Sequence, residues 1–360
     1  MDLKQRFFAL GLTLVLGMVG GLAARSLHLP LGLWVGSIFA VGLAAMLDAR
    51  VAGVGVGFPQ PLRNLFVPVI GLSIGAAFTP DVLRQMPGWW ISLSALLVYI
   101  PVAHAAGYFI YRRGGLPKAE AFFGAVPGGL IESVVLGEEA GADARTLILL
   151  QFLRLILTII AVPVIFLALT GHAVGSAAGA QIAGTGVALG GRDAAILLAA
   201  AGVGYAVGHV LRFPAAIMTG PILASAVVHL MGWTTGVPPS WAVGATQVVL
   251  GSALGARFVG MERGALTRAL WLACQSVGVA LILAFGFAWG VADLAGQPIT
   301  AGFLAFAPGG LAEMSLIALS LKVGVVYVAV HHVVRIVVSV TVARVGVQWI
   351  ALPGSGLSKP

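Results

Sequence analysis

Two carboxylates and two guanidiniums lie inside apolar stretches of this 360-residue chain at a matched spacing. Glu132 follows Pro127, Gly128, Gly129 and Leu130, and Glu313 follows Pro308, Gly309, Gly310 and Leu311, so that the motif Pro-Gly-Gly-Leu-x-Glu recurs 181 residues on. Arg154 and Arg335, Pro117 and Pro298, and Phe122 and Phe303 keep the same offset. A charge at membrane depth costs roughly 2.5–3.5 kcal/mol on insertion scales, so acids and bases held there line ion or solute pathways or pair with one another. The arginines are the expected counter-ions of the two glutamates. Gln151 precedes Arg154 by three residues and His332 precedes Arg335 by three, which puts each pair on one helical face. His332 thus stands where the first copy has Gln151; it could relay protons near neutral pH, or sit neutral and hydrogen-bonded within a bundle. His331 points about 100° away from it on a helix, so the two are poor joint ligands for a metal. His104, Thr246 and Gln247 read as hydrogen bonds between packed helices.

The element that must position these groups is written in the same motif. Proline removes a backbone donor and paired glycines weaken a helix, so the sequence predicts a break followed by a new short helix near Leu130 and again near Leu311. The free N–H groups at such a start form a positive dipole end. Irregular backbone of this kind is tolerated at membrane depth only where protein or water surrounds it. Two blander readings stand beside this one: glycine pairs let helices pack closely, and a carboxylate in a first turn caps its own helix.

The surrounding composition defines the solvent. With 59% hydrophobic and 9% charged residues and a mean hydropathy of +1.04, the chain has too little polar surface to clothe a soluble globule. In hydrocarbon the long apolar runs must be helices, and the alternating segments of a membrane barrel are not visible. The formal charge of +8 is dispersed in ones and twos between apolar runs, which fits cytoplasmic loop anchoring and argues against direct binding of nucleic acid. Cys274 is the single cysteine, so no disulfide forms within the chain. Lys4 and Arg6 precede an apolar stretch that is long for a signal peptide, and it reads as an uncleaved first span.

Apolar windows of spanning length fall near 7–25, 29–47, 63–80, 89–111 and 145–168, and again near 193–211, 214–232, 241–258, 267–291 and 324–348. The expected fold is an all-α polytopic membrane protein with two repeats of five spans, each carrying one re-entrant or broken helix. If the Pro-Gly-Gly element dips in and returns, the second repeat is inverted and most loop arginines and lysines face the cytoplasm; Arg25, Arg84, Arg192 and Lys322 stay outside. The repeats are expected at 1–169 and 193–351, separated by a Gly/Ala-rich linker at 170–192 and followed by a tail at 352–360. The segments near Phe78–Trp90 and Arg257–Arg268 read as interfacial, with Trp89 and Trp90 as belt residues.

These features together resemble the AbrB-type bacterial membrane family, in which an all-membrane domain is duplicated. The paired Pro-Gly-Gly-Leu-x-Glu motif, the Gln-x-x-Arg and His-x-x-Arg faces, and the Gly-x-x-x-Gly-x-x-Phe spans (Gly71, Gly75, Phe78; Gly251, Gly255, Phe258) carry the resemblance over nearly the whole chain. The architecture is also similar to sodium-coupled glutamate and citrate carriers. The repeated, broken architecture leads to the expectation of an inner-membrane secondary carrier or exporter of a small solute working by alternating access, and the family's labels add the alternative of a membrane-bound regulator of gene expression that does not touch DNA itself. Labels in the family also include ammonia monooxygenase; that chemistry needs a metal cluster, and the seven histidines show no ligand spacing, so the expectation is no enzyme and no cofactor. The expected partners are the lipid bilayer and a small solute or coupling ion, with homo-oligomerisation left open.

Overall fold

The computed structural model describes residues 3–170, 189–261 and 263–350. In chain order its helices are α1 (Leu3–Ser26), α2 (Gly32–Met46), α3 (Gln60–Gly75), α4 (Pro80–Gln85), α5 (Trp90–Arg113), α6 (Lys118–Ala125), α7 (Leu130–Glu139) and α8 (Ala144–Thr170). The series continues with α9 (Gly191–Val210), α10 (Ala216–Leu230), α11 (Ser240–Gly255), α12 (Arg263–Ala295), α13 (Ile299–Phe306), α14 (Leu311–Ser320) and α15 (Val325–Ile350). A two-residue antiparallel ribbon, Arg50–Val51 with Val54–Gly55, is the one sheet among the described residues. The chain is an all-α polytopic membrane protein, and among the described residues six helices are long and apolar enough to span a bilayer. Most of the linker expected at 170–192 and the tail at 352–360 lie outside the described residues.

Helix bounds recur at a fixed offset. Shifted by 181 residues, α6 and α7 coincide with α13 and α14 at both ends. The second and third windows of each series are shorter as helices than as apolar runs. Helices α2 and α10 have 15 residues and α3 and α11 have 16, about 22–24 Å at 1.5 Å per residue, below the roughly 30 Å of hydrocarbon. The cause for α2 and α10 lies just upstream: Leu31 and Ala215 take left-handed backbone (φ 49° and φ 50°) directly before the helix, so the apolar residues before them are spent on a turn.

The described chain forms two compact units, and each draws helices from both sequence halves. The first gathers Met1–Met86, Ile160–Arg263 and Ala312–Val326. Its core is made of close helix crossings repeated in kind. A Cβ on Gly75 would stand 2.5 Å from the Ile222 carbonyl oxygen, and one on Gly255 would stand 2.8 Å from that of Ile38, so α3 lies on α10 as α11 lies on α2. The Gly-x-x-x-Gly-x-x-Phe spans are therefore packing surfaces, where small residues let backbones approach and dispersion contacts accumulate. Hydroxyls seal the crossings: Ser225 donates to the Leu72 carbonyl (2.8 Å) and Ser37 to that of Gly17 (2.7 Å).

The second unit gathers Pro87–Ile159, Gly264–Leu311 and Tyr327–Pro360. Here α6 and α7 double back as a helical hairpin. The Asp143 amide, just past the end of α7, donates to Glu120 Oε1 in the first turn of α6 (3.0 Å), and a Cβ on Gly137 would meet Phe123 at 3.2 Å. Phe123, Val126, Val134 and Leu147 form the hairpin's buried core with Ala343 and Ile350 of α15. Tyr99 of α5 donates to the Ala280 carbonyl of α12 (3.2 Å), joining two residues 181 apart. Trp89 departs from its expected place in an interfacial belt: it is buried, edge-on to Tyr327 with ring centroids 5.3 Å apart, and only Trp90 is exposed. Composition marks both as belt residues, whereas the helical turn Met86–Trp89 rotates one inward.

Candidate functional site at the paired helix breaks

Each break is produced by its proline. The residue before a proline is pushed to extended backbone, and Val126 (ψ 120°) ends α6 as Ala307 (ψ 137°) ends α13. Gly129 then takes left-handed backbone (φ 64°, ψ 58°), which glycine adopts without steric penalty, and α7 starts at Leu130. Helix α14 starts at Leu311, so both new helices begin at the expected residues.

Ending a helix inside a membrane protein leaves its last carbonyls without helical partners, and these must be satisfied within the protein. The polar faces of α8 and α15 meet that need. Gln151 Nε2 donates to the Phe123 carbonyl (2.8 Å), and His332 Nε2 faces the Leu304 carbonyl at the same 2.8 Å; the two carbonyls are themselves 181 residues apart. Arg154 donates to the Val126 carbonyl, and Arg335 donates to those of Ala307 and Gly309. The guanidiniums thus clamp the negative ends of α6 and α13.

The hydrogen bonds settle the form of His332. An arginine N–H lies 3.0 Å from His332 Nδ1 and can only donate, so Nδ1 offers its lone pair and Nε2 carries the hydrogen that reaches Leu304. A neutral imidazole meets both demands; Gln151 at the matching position makes only the donor contact. His331, one residue before, contacts the Tyr327 carbonyl and Ser92 Oγ (2.9 Å) instead.

The first break is held from two sides within the second unit. Arg154 and Gln151 grip Val126 and Phe123 from α8. From α15, the Ser339 hydroxyl would stand 3.1 Å from a Cβ on Gly128, the Arg335 carbonyl 3.5 Å from it, and Val340 2.5 Å from one on Gly129. Arg335 therefore serves both breaks, the second through its side chain and the first through its backbone. Arg154 Nε, Gln151 Oε1 and Ser339 Oγ are buried with no hydrogen-bond partner among the described residues, so polar capacity remains beside the first break.

The glutamates, alike in sequence, differ in setting. Glu132 is exposed in the first turn of α7, and its Oε2 would lie 3.4 Å from a Cβ on Gly129, turned back toward its own helix start. The Arg154 guanidinium donates to the Val126 carbonyl, and among the described residues no salt bridge joins it to this carboxylate. Glu313 is buried in the first turn of α14, and its charge interacts with that of Arg63 on α3. Arg63 and Glu313 are 250 residues apart in the chain, and only the fold brings their charges within interaction range. Pro127, Gly128, Gly129, Gln151 and Arg154 thus meet at one break and Pro308, Gly309, His332 and Arg335 at the other. Of the weaker candidates, His104 Nε2 lies 2.9 Å from the Phe122 carbonyl and Thr246 donates to that of Ala242 (2.8 Å), while Gln247 is buried in α11.

Fold and site together define a helical membrane protein with a pair of matched, arginine-clamped helix breaks. Over residues 33–351 it matches the model of the family described as transition state regulatory protein AbrB, and it belongs to that family. It is 27% identical over 342 residues to "Uncharacterized protein YhjN" of Bacillus subtilis (strain 168), covering 90% of this chain and 88% of the relative. It is 26% identical over 330 residues to "Putative regulator AbrB" of Escherichia coli (strain K12), covering 86% of each.

Proposed function

We propose that the protein is a secondary carrier or exporter of a small solute in the bacterial inner membrane, with its pathway at the paired breaks. The observation that carries this is the investment of buried arginine, glutamine and histidine in holding two interrupted helices open. A bundle needing only stability would use continuous helices, which satisfy their own carbonyls. Discontinuous helices in matched halves are the device by which transporters place dipole ends and free backbone groups at the membrane midplane. The α6–α7 hairpin, whose ends meet at Glu120 and Asp143, supports a re-entrant element and hence inverted halves. The reading carries no catalytic step, cofactor or direct contact with nucleic acid.

The test is flux. Purified protein in proteoliposomes is challenged with a panel of labelled anions, amines and neutral solutes under proton and sodium gradients, beside Arg335→Met and Glu313→Gln. Transport of at least one solute, abolished in Arg335→Met, is the expected result. The name of the Escherichia coli relative favours a second reading, a membrane regulator that alters gene expression indirectly. That reading replaces the first if no solute moves while gene deletion changes transcription and Glu313→Gln leaves that effect intact.

A further inference from the structure

A groove of about 350 Å³ lies in the first unit between α1, α2 and α11, well apart in sequence from the helix breaks. Met18, Leu22, Leu33 and Val248 line its apolar part, and Arg25 and Trp241 belong to one end of it. Arg25 stands in the last turn of α1, Trp241 in the first turn of α11, and Leu33 in the first turn of α2, so all three mark the same end of the helix group. Met18 lies seven residues back along α1 from Arg25, and Val248 seven residues along α11 from Trp241. At 1.5 Å per residue each stretch is about 10 Å. The groove therefore runs parallel to the helices, charged and aromatic at its end and apolar along its length.

The charge at that end finds no ion pair among the described residues. Among the described residues no carboxylate pairs with Arg25 and no carbonyl accepts from its guanidinium. Trp241 beside it is three-quarters exposed, as an indole at a membrane–water boundary is. In the topology proposed above Arg25 also falls on the outer side, where loop arginines are scarce. A larger groove of about 540 Å³ between α9 and α10 is lined by apolar side chains alone and offers nothing to choose an occupant. The counterpart of Arg25 at the end of α9 is His209, stacked on Tyr205 with ring centroids 5.9 Å apart.

We propose that the α1–α2–α11 groove is a binding site for an anionic phospholipid, with its phosphodiester on Arg25 and one acyl chain laid along Leu22, Leu33, Met18 and Val248. The polarity matches a lipid end for end. Arginine donates two parallel hydrogen bonds to a phosphate, the indole lies at headgroup level, and the groove walls flank about two-thirds of the hydrocarbon depth of one leaflet, roughly 15 Å. A net negative headgroup is selected because a choline would set a second cation against Arg25.

Native mass spectrometry of the full chain, released from mild detergent with added dioleoyl phosphatidylglycerol or dioleoyl phosphatidylcholine, tests the site. The expected result is a phosphatidylglycerol adduct that outlasts the phosphatidylcholine one, weakened about tenfold in Arg25→Gln, the loss of one charge-assisted contact. Ala245→Leu, which fills the groove and leaves Arg25 in place, loses the adduct as well, and Arg84→Gln, an exposed arginine on another segment, keeps it. Millimolar inorganic phosphate leaves the adduct intact, because the chain contacts hold it. Phosphatidylglycerol should also raise the melting temperature of the wild type and not of Arg25→Gln. Equal adduct strength in wild type, Arg25→Gln and Ala245→Leu, or displacement by phosphate alone, overturns the proposal.

Discussion

Gln151 and His332 perform one task with different chemistry, and that equivalence can be measured. Each donates from its ε nitrogen to the carbonyl three residues before its break. His332→Gln should therefore fold and melt like the wild type, since the amide reproduces the donor. His332→Leu leaves the Leu304 carbonyl and an Arg335 donor unmatched and should cost about 1–3 kcal/mol, read as a lower melting temperature in detergent. The same pair of variants tests a proton relay: His332→Gln removes the titratable ring and keeps the clamp, so proton-coupled flux that survives it excludes a relay through this residue. The identity and spacing of these residues were legible in the sequence. Their targets were not, because a carboxylate is the obvious partner for a buried arginine, whereas the unsatisfied carbonyls exist only once the helix is broken.

At the scale of the element, the breaks were legible because proline and glycine act locally: they fix ψ at Val126 and Ala307 and open the left-handed region at Gly129. The shortness of α2, α3, α10 and α11 was not, since apolar content does not separate a turn from a helix. Close packing of these short helices makes a sharp prediction. A Cβ on Gly75 would stand 2.4 Å from Ser225 Cβ and 2.5 Å from the Ile222 carbonyl oxygen, with backbone among the neighbours that must move. Gly75→Leu should destabilise by about 1–3 kcal/mol or more, and a fluorescent fusion should show sharply reduced folded protein in the membrane. The start of α8 offers a second test. Asp143 accepts from the Thr146 amide (2.8 Å) and hydroxyl (2.7 Å), which hold its carboxyl below the usual carboxylate range. The folded chain binds that proton more weakly than the unfolded one, so the stabilisation is complete above the unfolded value near pH 4 and fades as pH falls through the lower folded value. Asp143→Ala should lose about 1 kcal/mol of capping at pH 7, and the gap in melting temperature from wild type should narrow as pH falls below the unfolded value near 4.

For the whole molecule, the decisive quantity is the number of times each half crosses the membrane, and the hairpin bears on it directly. An element that crosses separates its ends by the bilayer, about 30 Å, whereas Glu120 and the Asp143 amide are one hydrogen bond apart. In the carrier topology proposed above the hairpin returns to its own side, so that each half would make an odd number of crossings, the second half would be inverted, and Arg112, Arg113, Lys118 and Arg145 would face the cytoplasm, as would Arg257 and Arg268. Were the element to cross, Arg145 would lie opposite Arg112 and Lys118, and the loop charges of the two halves would cancel as a topology signal. Reporter fusions separate the cases in one experiment. Phosphatase fusions, active only outside the cytoplasm, should be silent after residues 118 and 145 and active after residue 180, and a cytoplasmic fluorescent reporter should give the reverse pattern at all three. Opposite signals at 118 and 145 would mean that the chain crosses between them, and the inverted arrangement on which the proposed carrier mechanism rests would fail with it.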